Sequence, residues 1–103
     1  MKKSLEQINR EFNEIMAICG LRATNRTDNS GNTLYFRRWK CGTSTEGNAG
    51  DQHEYMILAS CQNGIPTIWV YQDGRRIDLR EYCSPKRAMN GIKDIIRRAG
   101  YKF

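Results

Sequence analysis

The chain has one histidine and two prolines among 103 residues, and no apolar run near the roughly 20 residues needed to cross a bilayer. G-x-S-x-G, P-loop and H-E-x-x-H patterns are all missing. These absences exclude a helical membrane span and leave no recognisable catalytic constellation, so a non-enzymatic protein without a cofactor is expected. The four cysteines, Cys19, Cys41, Cys61 and Cys83, include no C-x-x-C pair. Structural zinc sites usually draw on at least one closely spaced ligand pair, so Cys41, His53, Cys61 and Cys83 are not favoured as a set and no metal is assigned. A Cys61/His53 dyad is set aside too, because Cys61 alternates with Ala59 and Ile57 and reads as a packed thiol. The start contains lysines and no apolar segment like that of a secretory signal, which points to the cytoplasm and to reduced thiols.

A hydrophobic fraction of 39% and a charged fraction of 27% describe a soluble globular chain, and its length makes residues 1–103 a single domain. Positive charge is unevenly placed. From Arg75 to Phe103 nine Lys/Arg stand against three acids, whereas Asp51 to Gly74 has three acids and no Lys/Arg. A second basic patch lies at Arg37, Arg38 and Lys40. Segregated positive charge on a small domain suggests a polyanionic or acidic partner.

The stretch from Glu54 to Leu79 organises the fold. Asn63-Gly64 and Asp73-Gly74 each supply the two positive-φ residues of a type I′ turn, so three antiparallel strands with two-residue loops are expected. The registers that follow pair Ala59 with Ile68, Ile57 with Val70, Val70 with Ile77 and Ile68 with Leu79 on an aliphatic face. Leu58 with Trp69, Met56 with Tyr71, Tyr71 with Arg76 and Trp69 with Asp78 form the other face.

Ser4 and Gln7 form a capping box before a helical stripe of Leu5, Ile8, Phe12, Ile15, Met16 and Cys19, and Gly20 is placed to end that helix. Arg22 to Asn32 is polar and turn-rich and reads as a loop. Thr33 to Cys41 reads as an edge strand, with Tyr35, Arg37 and Trp39 sharing one face. Cys41 to His53 reads as a mobile glycine-containing loop. Ser84 and Pro85 open a second helix with a stripe of Ala88, Ile92, Ile95, Ile96 and Ala99, ended by Gly100. Gly91 is either a weak point in that helix or a close-packing contact. The expected fold is α+β, a two-layer sandwich of order α-β-β-β-β-α with both helices on the aliphatic face of an antiparallel sheet.

Two features carry candidate chemistry. Lys86 and Arg87 occupy a helix's first turn, where the dipole favours anions, and Lys93 and Arg97 continue their stripe, so a bound phosphate is the natural compensation. On the open sheet face, Trp69, Tyr71 and Met56, with Tyr35 or Trp39 from the edge strand, are candidates for stacking on bases or for a partner surface, while Arg37 and Arg76 meet phosphates. A second copy, the 41–53 loop and the chain end are the other candidates to cover that face.

The α-β-β-β-α order, with Ser84-Pro85-Lys86-Arg87-Ala88 at the start of its last helix, resembles the double-stranded-RNA-binding domain. Here Ala88, Met89 and Asn90 follow the basic pair, where that family continues with alanine and lysine, and the Asp73-Gly74 hairpin adds a strand. The stretch EQINREFNEIMAICG and the later NSGN loop resemble the start of small phage anti-defence proteins, a likeness over about a third of the chain that transfers no site. The first expectation is therefore a basic, non-enzymatic protein that recognises nucleic acid or a nucleotide. The alternative is a phage-type anti-defence protein, such as an anti-CRISPR inhibitor. It would bind an acidic or nucleic-acid-binding surface of a host nuclease or sequester a nucleotide signal.

Overall fold

A computed structural model describes residues 3–42 and 52–98. Its first helix, α1 (Leu5–Ile18), starts at Ser4, whose hydroxyl accepts from the Gln7 amide at 3.1 Å. Gly20, with φ of +76°, turns the chain out of the helix, and the Leu21 amide reaches back to the Met16 carbonyl at 2.8 Å. Phe12, Ile15, Met16 and Cys19 are buried along the expected stripe. Leu5 is 58% exposed, its inner side resting against the Gly64 turn.

Five strands follow, β1 (Arg22–Thr27), β2 (Thr33–Gly42), β3 (Gln52–Gln62), β4 (Ile65–Gln72) and β5 (Arg75–Glu81), before α2 (Pro85–Arg98). They form one antiparallel meander in sequence order. The α+β sandwich is therefore present with a strand more than expected. Arg22–Thr27, read as loop, is β1, and it takes the edge position assigned to β2. Apart from the half-buried Thr24 its residues are exposed, so no alternation of apolar side chains marked it. The glycine-containing stretch at 43–51 and the expected helix end at Gly100 lie outside the described residues.

The turn joining β1 to β2 is built on Asp28, whose carboxylate accepts from the Ser30 amide and hydroxyl at 2.8 and 2.7 Å and from the Asn32 amide at 3.0 Å. Burial works against its charge, but the hydrogen bonds from Ser30 and Asn32 help to outweigh burial and hold its pKa below the usual value. The Asn32 side-chain amide donates to the Cys61 carbonyl and ties this turn to β3.

Both hairpins adopt the expected left-handed pairs, with φ of +50° and +82° at Asn63 and Gly64 and +52° and +81° at Asp73 and Gly74. Between β3 and β4 all four expected pairs are found, Ala59–Ile68, Ile57–Val70, Leu58–Trp69 and Met56–Tyr71. Between β4 and β5 the Tyr71–Arg76 pair forms, and then the register shifts. Val70 pairs with Asp78, Trp69 with Leu79 and Ile68 with Arg80, which corrects the expected Val70–Ile77, Ile68–Leu79 and Trp69–Asp78 pairs. A bulge at Ile77 inserts one residue, and in a structure of period two one residue exchanges the faces of everything beyond it. Leu79 thus joins Trp69, while Asp78 and Arg80 join the face of Val70 and Ile68.

The core fills the space between the helices and one sheet face, with Ile57, Ala59, Ile68 and Val70 meeting α1 and the buried Ala88, Ile92 and Ile96 of α2. Gly91 is the close-packing contact: a Cβ there would stand 2.1 Å from the Tyr82 hydroxyl oxygen and 2.4 Å from the ring carbon bearing it. Gly91→Ala should therefore destabilise the protein by about 1–3 kcal/mol, despite the roughly 1 kcal/mol that alanine gains in helix propensity. A lowered denaturant midpoint would show it, and a raised one would contradict the contact. Asp28 gives a second expectation. A carboxylate with a depressed folded pKa contributes stability above its unfolded value of about 3.9 and loses it as pH falls through the folded value. Asp28→Asn should lower the melting temperature at pH 7, and the difference from the parent should shrink below about pH 3.

Candidate functional site

The basic surface is positioned by α2. Its buried residues, Pro85, Ala88, Ile92 and Ile96, fix the helix rotation. With 3.6 residues per turn, Lys86, Asn90, Lys93 and Arg97 then line up on the outward side. Lys86, Asn90 and Arg97 are exposed and Lys93 is half-buried. Arg87 and Arg98 flank the row, and Arg98 pairs with Asp94 at 3.0 Å. At the start of the helix Lys86, Arg87 and Asn90 line an open concavity of about 610 Å³ together with Tyr82 and Ser84.

The backbone of this helix start contributes less than a bare helix end would. Pro85 has no N–H, the Arg87 amide donates to Ser84 Oγ at 3.3 Å, and the Ala88 amide donates to the Ser84 carbonyl at 3.1 Å. Only the Lys86 amide of the first turn is left to face an anion. An anion here would rest on side chains more than on the helix terminus.

The open sheet face carries Trp69 and Tyr71 as expected, both half-buried, with Arg76 exposed beside Tyr71. Trp39 and Arg37 are not part of it, which corrects their assignment. Arg37 pairs with Ile57 and Trp39 with Tyr55, so both point to the helix side, as does Tyr35, which pairs with Ala59 and packs on Phe12. Trp39 is 8% exposed and stacks on Tyr55 with ring centroids 5.6 Å apart. Arg37 donates to the Cys19 carbonyl at 2.7 Å, satisfying the end of α1. Alternation within Thr33–Cys41 separated the two faces correctly, but it could not say which face the helices cover. The face of Leu34 and Phe36 is the open one, and Arg38 and Lys40 share it.

A second cavity, of about 250 Å³, lies under the end of α2 and was not foreseen. Val70, Ile77 and Ile95 form its apolar part, and Asp78, Arg80 and Arg98 its polar rim. It exists because the bulge in β5 puts the Asp78–Arg80 ion pair, at 2.8 Å, where aliphatic side chains were expected. At the hairpin tip beyond it, Asp73 accepts from the Glu54 amide at 2.9 Å and contacts His53 Nδ1 at 2.7 Å. The amide first, and His53 second, hold its pKa below the usual carboxylate value.

The described thiols are packed or isolated. Burial, reinforced by the nearby Asp28 charge, pushes Cys61 up to about 11. Burial raises Cys19 as well, against the opposing charges of Lys93 and Arg37. His53 and Cys61 lie eight residues apart on β3, about 27 Å at strand rise, so they form no dyad. Among the described residues no group of three or more His, Cys, Asp or Glu is placed to hold a metal ion, and no helix is long and apolar enough to cross a membrane. No protein-family model matches the chain, and neither a curated protein nor a solved structure matches it significantly.

Thiol chemistry provides a direct check of this arrangement. In a Cys41→Ser background a disulfide reagent at pH 8 should modify the exposed Cys83 rapidly and reach Cys19 and Cys61 only on unfolding. Rapid modification of Cys61 in the folded protein would contradict its burial.

Proposed function

We propose that this protein binds a phosphate-bearing ligand, foremost nucleic acid, along the outward side of α2. The observation that carries this reading is the alignment of Lys86, Asn90, Lys93 and Arg97 in one row beside Arg87. Asp94, the one acid of this helix, stands to the side of that row, paired with Arg98. The row is about 16 Å long at helical rise, enough to follow several phosphates of a backbone and longer than one mononucleotide phosphate requires. Side chains supply the contacts, since Ser84 and Pro85 leave only one first-turn amide available. Such contacts position a polyanion without reading its sequence.

The alternative reading, a phage-type inhibitor, uses the same cations against an acidic surface of a host nuclease. It is supported by the likeness of the first third of the chain to phage anti-defence proteins. Titration of labelled RNA and DNA, single-stranded and duplex, at two salt concentrations tests the first reading. Lys86→Ala and Arg87→Ala should each weaken binding across all sequences and reduce the slope of log K against log salt by about 1. No binding by the parent protein, or an unchanged slope in both variants, would remove nucleic acid as the ligand. Retention of a host protein from nuclease-treated lysate in a Lys86- and Arg87-dependent way would then favour the inhibitor.

A further inference from the structure

The turn joining β1 to β2 gives the outer side of the sheet a pocket. Thr27, Asp28 and Asn29 of the turn face Leu34, Leu58, Gln62, Trp69 and Tyr71 across a cavity of about 260 Å³. Ser60 and Thr67, a cross-strand pair on the same side of the sheet, are buried next to it. The turn is held in place in two ways. Within it, one oxygen of the Asp28 carboxylate accepts from Ser30 and Asn32, and the Asn32 side chain donates to the Cys61 carbonyl of β3. The pocket is therefore built by the fold itself, as small-molecule sites usually are.

Its lining sets aromatic and aliphatic surface against a single charge. Trp69 and Tyr71 supply two rings, Leu34 and Leu58 supply further apolar surface, and among the described residues Asp28 is the one charged member. Burial opposes that charge, but the bonds from Ser30 and Asn32 help to keep the pKa of Asp28 below the usual carboxylate value, so it is ionised at neutral pH. No Lys, Arg or His among the described residues pairs with it. This lining separates three kinds of ligand head. A phosphate is disfavoured, because no described Lys or Arg faces the pocket. A primary ammonium has three N–H donors to satisfy, whereas one Asp28 oxygen already accepts three bonds and the other is buried without a hydrogen-bond partner. A quaternary ammonium carries charge and no donor. It needs aromatic surface and a negative charge at short range, and the pocket offers both.

We propose that the pocket between the β1–β2 turn and Trp69 binds a quaternary ammonium group, held by Trp69 and Tyr71 and by the charge of Asp28. The volume is the liquid share of about nine water molecules, which accommodates a head group of choline size. Such a group has two sources, a free choline-like small molecule and a trimethylated lysine side chain. The pocket lies on the opposite layer from the α2 row, so it works independently of phosphate binding there.

Titration of the full chain with choline, tetramethylammonium and a trimethyllysine peptide, followed by the amide and indole signals in NMR spectra, tests the proposal. Choline should saturate with a dissociation constant below about 1 mM, shifting the Trp69 indole and residues 27–34 but not Lys86 to Arg97. The uncharged isostere of choline, with carbon in place of nitrogen, should bind about tenfold more weakly. Asp28→Asn, which keeps the side chain's shape, and Trp69→Leu should each weaken choline binding about tenfold while keeping the parent's circular dichroism, and Lys86→Ala should leave it unchanged. Tyr71→Leu gives the same reading should Trp69→Leu fail to fold. Tighter binding of the trimethyllysine peptide than of choline, with the unmethylated peptide silent, assigns the group to a protein, and the reverse order assigns it to a small molecule. No saturation by any of the three probes at about 10 mM overturns the proposal, as does equal binding of the isostere or unchanged binding in folded Asp28→Asn. An oligonucleotide that shifts the Trp69 indole where choline does not would reassign the pocket to a base and overturn it too.

Discussion

The pairing of β3 with β4 is the constraint on which the rest of the structure depends. Two residues with positive φ, Asn63 and Gly64, fix a two-residue turn, and the turn fixes every cross-strand pair as far as Tyr55–Gln72. That register puts Ile57, Ala59, Ile68 and Val70 on one side, and both helices follow them there. A one-residue slip would turn those four side chains outward and leave α1 and α2 with no surface to cover. The second hairpin is fastened to the first by Asp73, which bonds the Glu54 amide and contacts His53 at the start of β3.

What could be read from the sequence follows from which signals are local. The helix stripes, the Ser4 cap and both hairpin turns are specified by neighbouring residues and stand where they were expected. The bulge at Ile77 is not marked locally: IDL alternates as well with Ile77 and Leu79 inward as outward, and no neighbouring residue signals the extra one. Its consequence for the site is large, since it makes the cavity rimmed by Asp78, Arg80 and Arg98 and sends Leu79 to the open face. β1 was invisible for a different reason. A strand whose side chains are nearly all solvated has no period-two pattern, and its backbone pairing with β2 leaves no mark in composition. Trp39 and Arg37 were assigned to the wrong side because aromatic and cationic residues suggest a binding surface, whereas here one packs on Tyr55 and the other closes the end of α1.

The candidate surfaces divide along the two layers. Positive charge is carried by the outward side of α2, where the row of basic residues could be read from helical periodicity alone. The open side of the sheet is apolar through its middle and carries both charge signs around it. Lys86, Arg87, Lys93 and Arg97 are therefore drawn together by the structure, whereas Trp69, Tyr71 and Arg76 belong to a separate surface on the other layer. A single small ligand cannot touch both the cations and the aromatics.

The irregularity in β5 also bears on solubility. β5 is an edge strand, and a straight edge offers unpaired backbone groups to any passing strand. Here the extra residue breaks the regular spacing of those groups, and Arg75, Arg76 and Arg80 crowd the margin with charge on both sides of the sheet. Strand-by-strand growth into open-ended sheets is obstructed along this margin. The bulge that aims Leu79 at the open face thus also protects the sheet from open-ended aggregation at its edge.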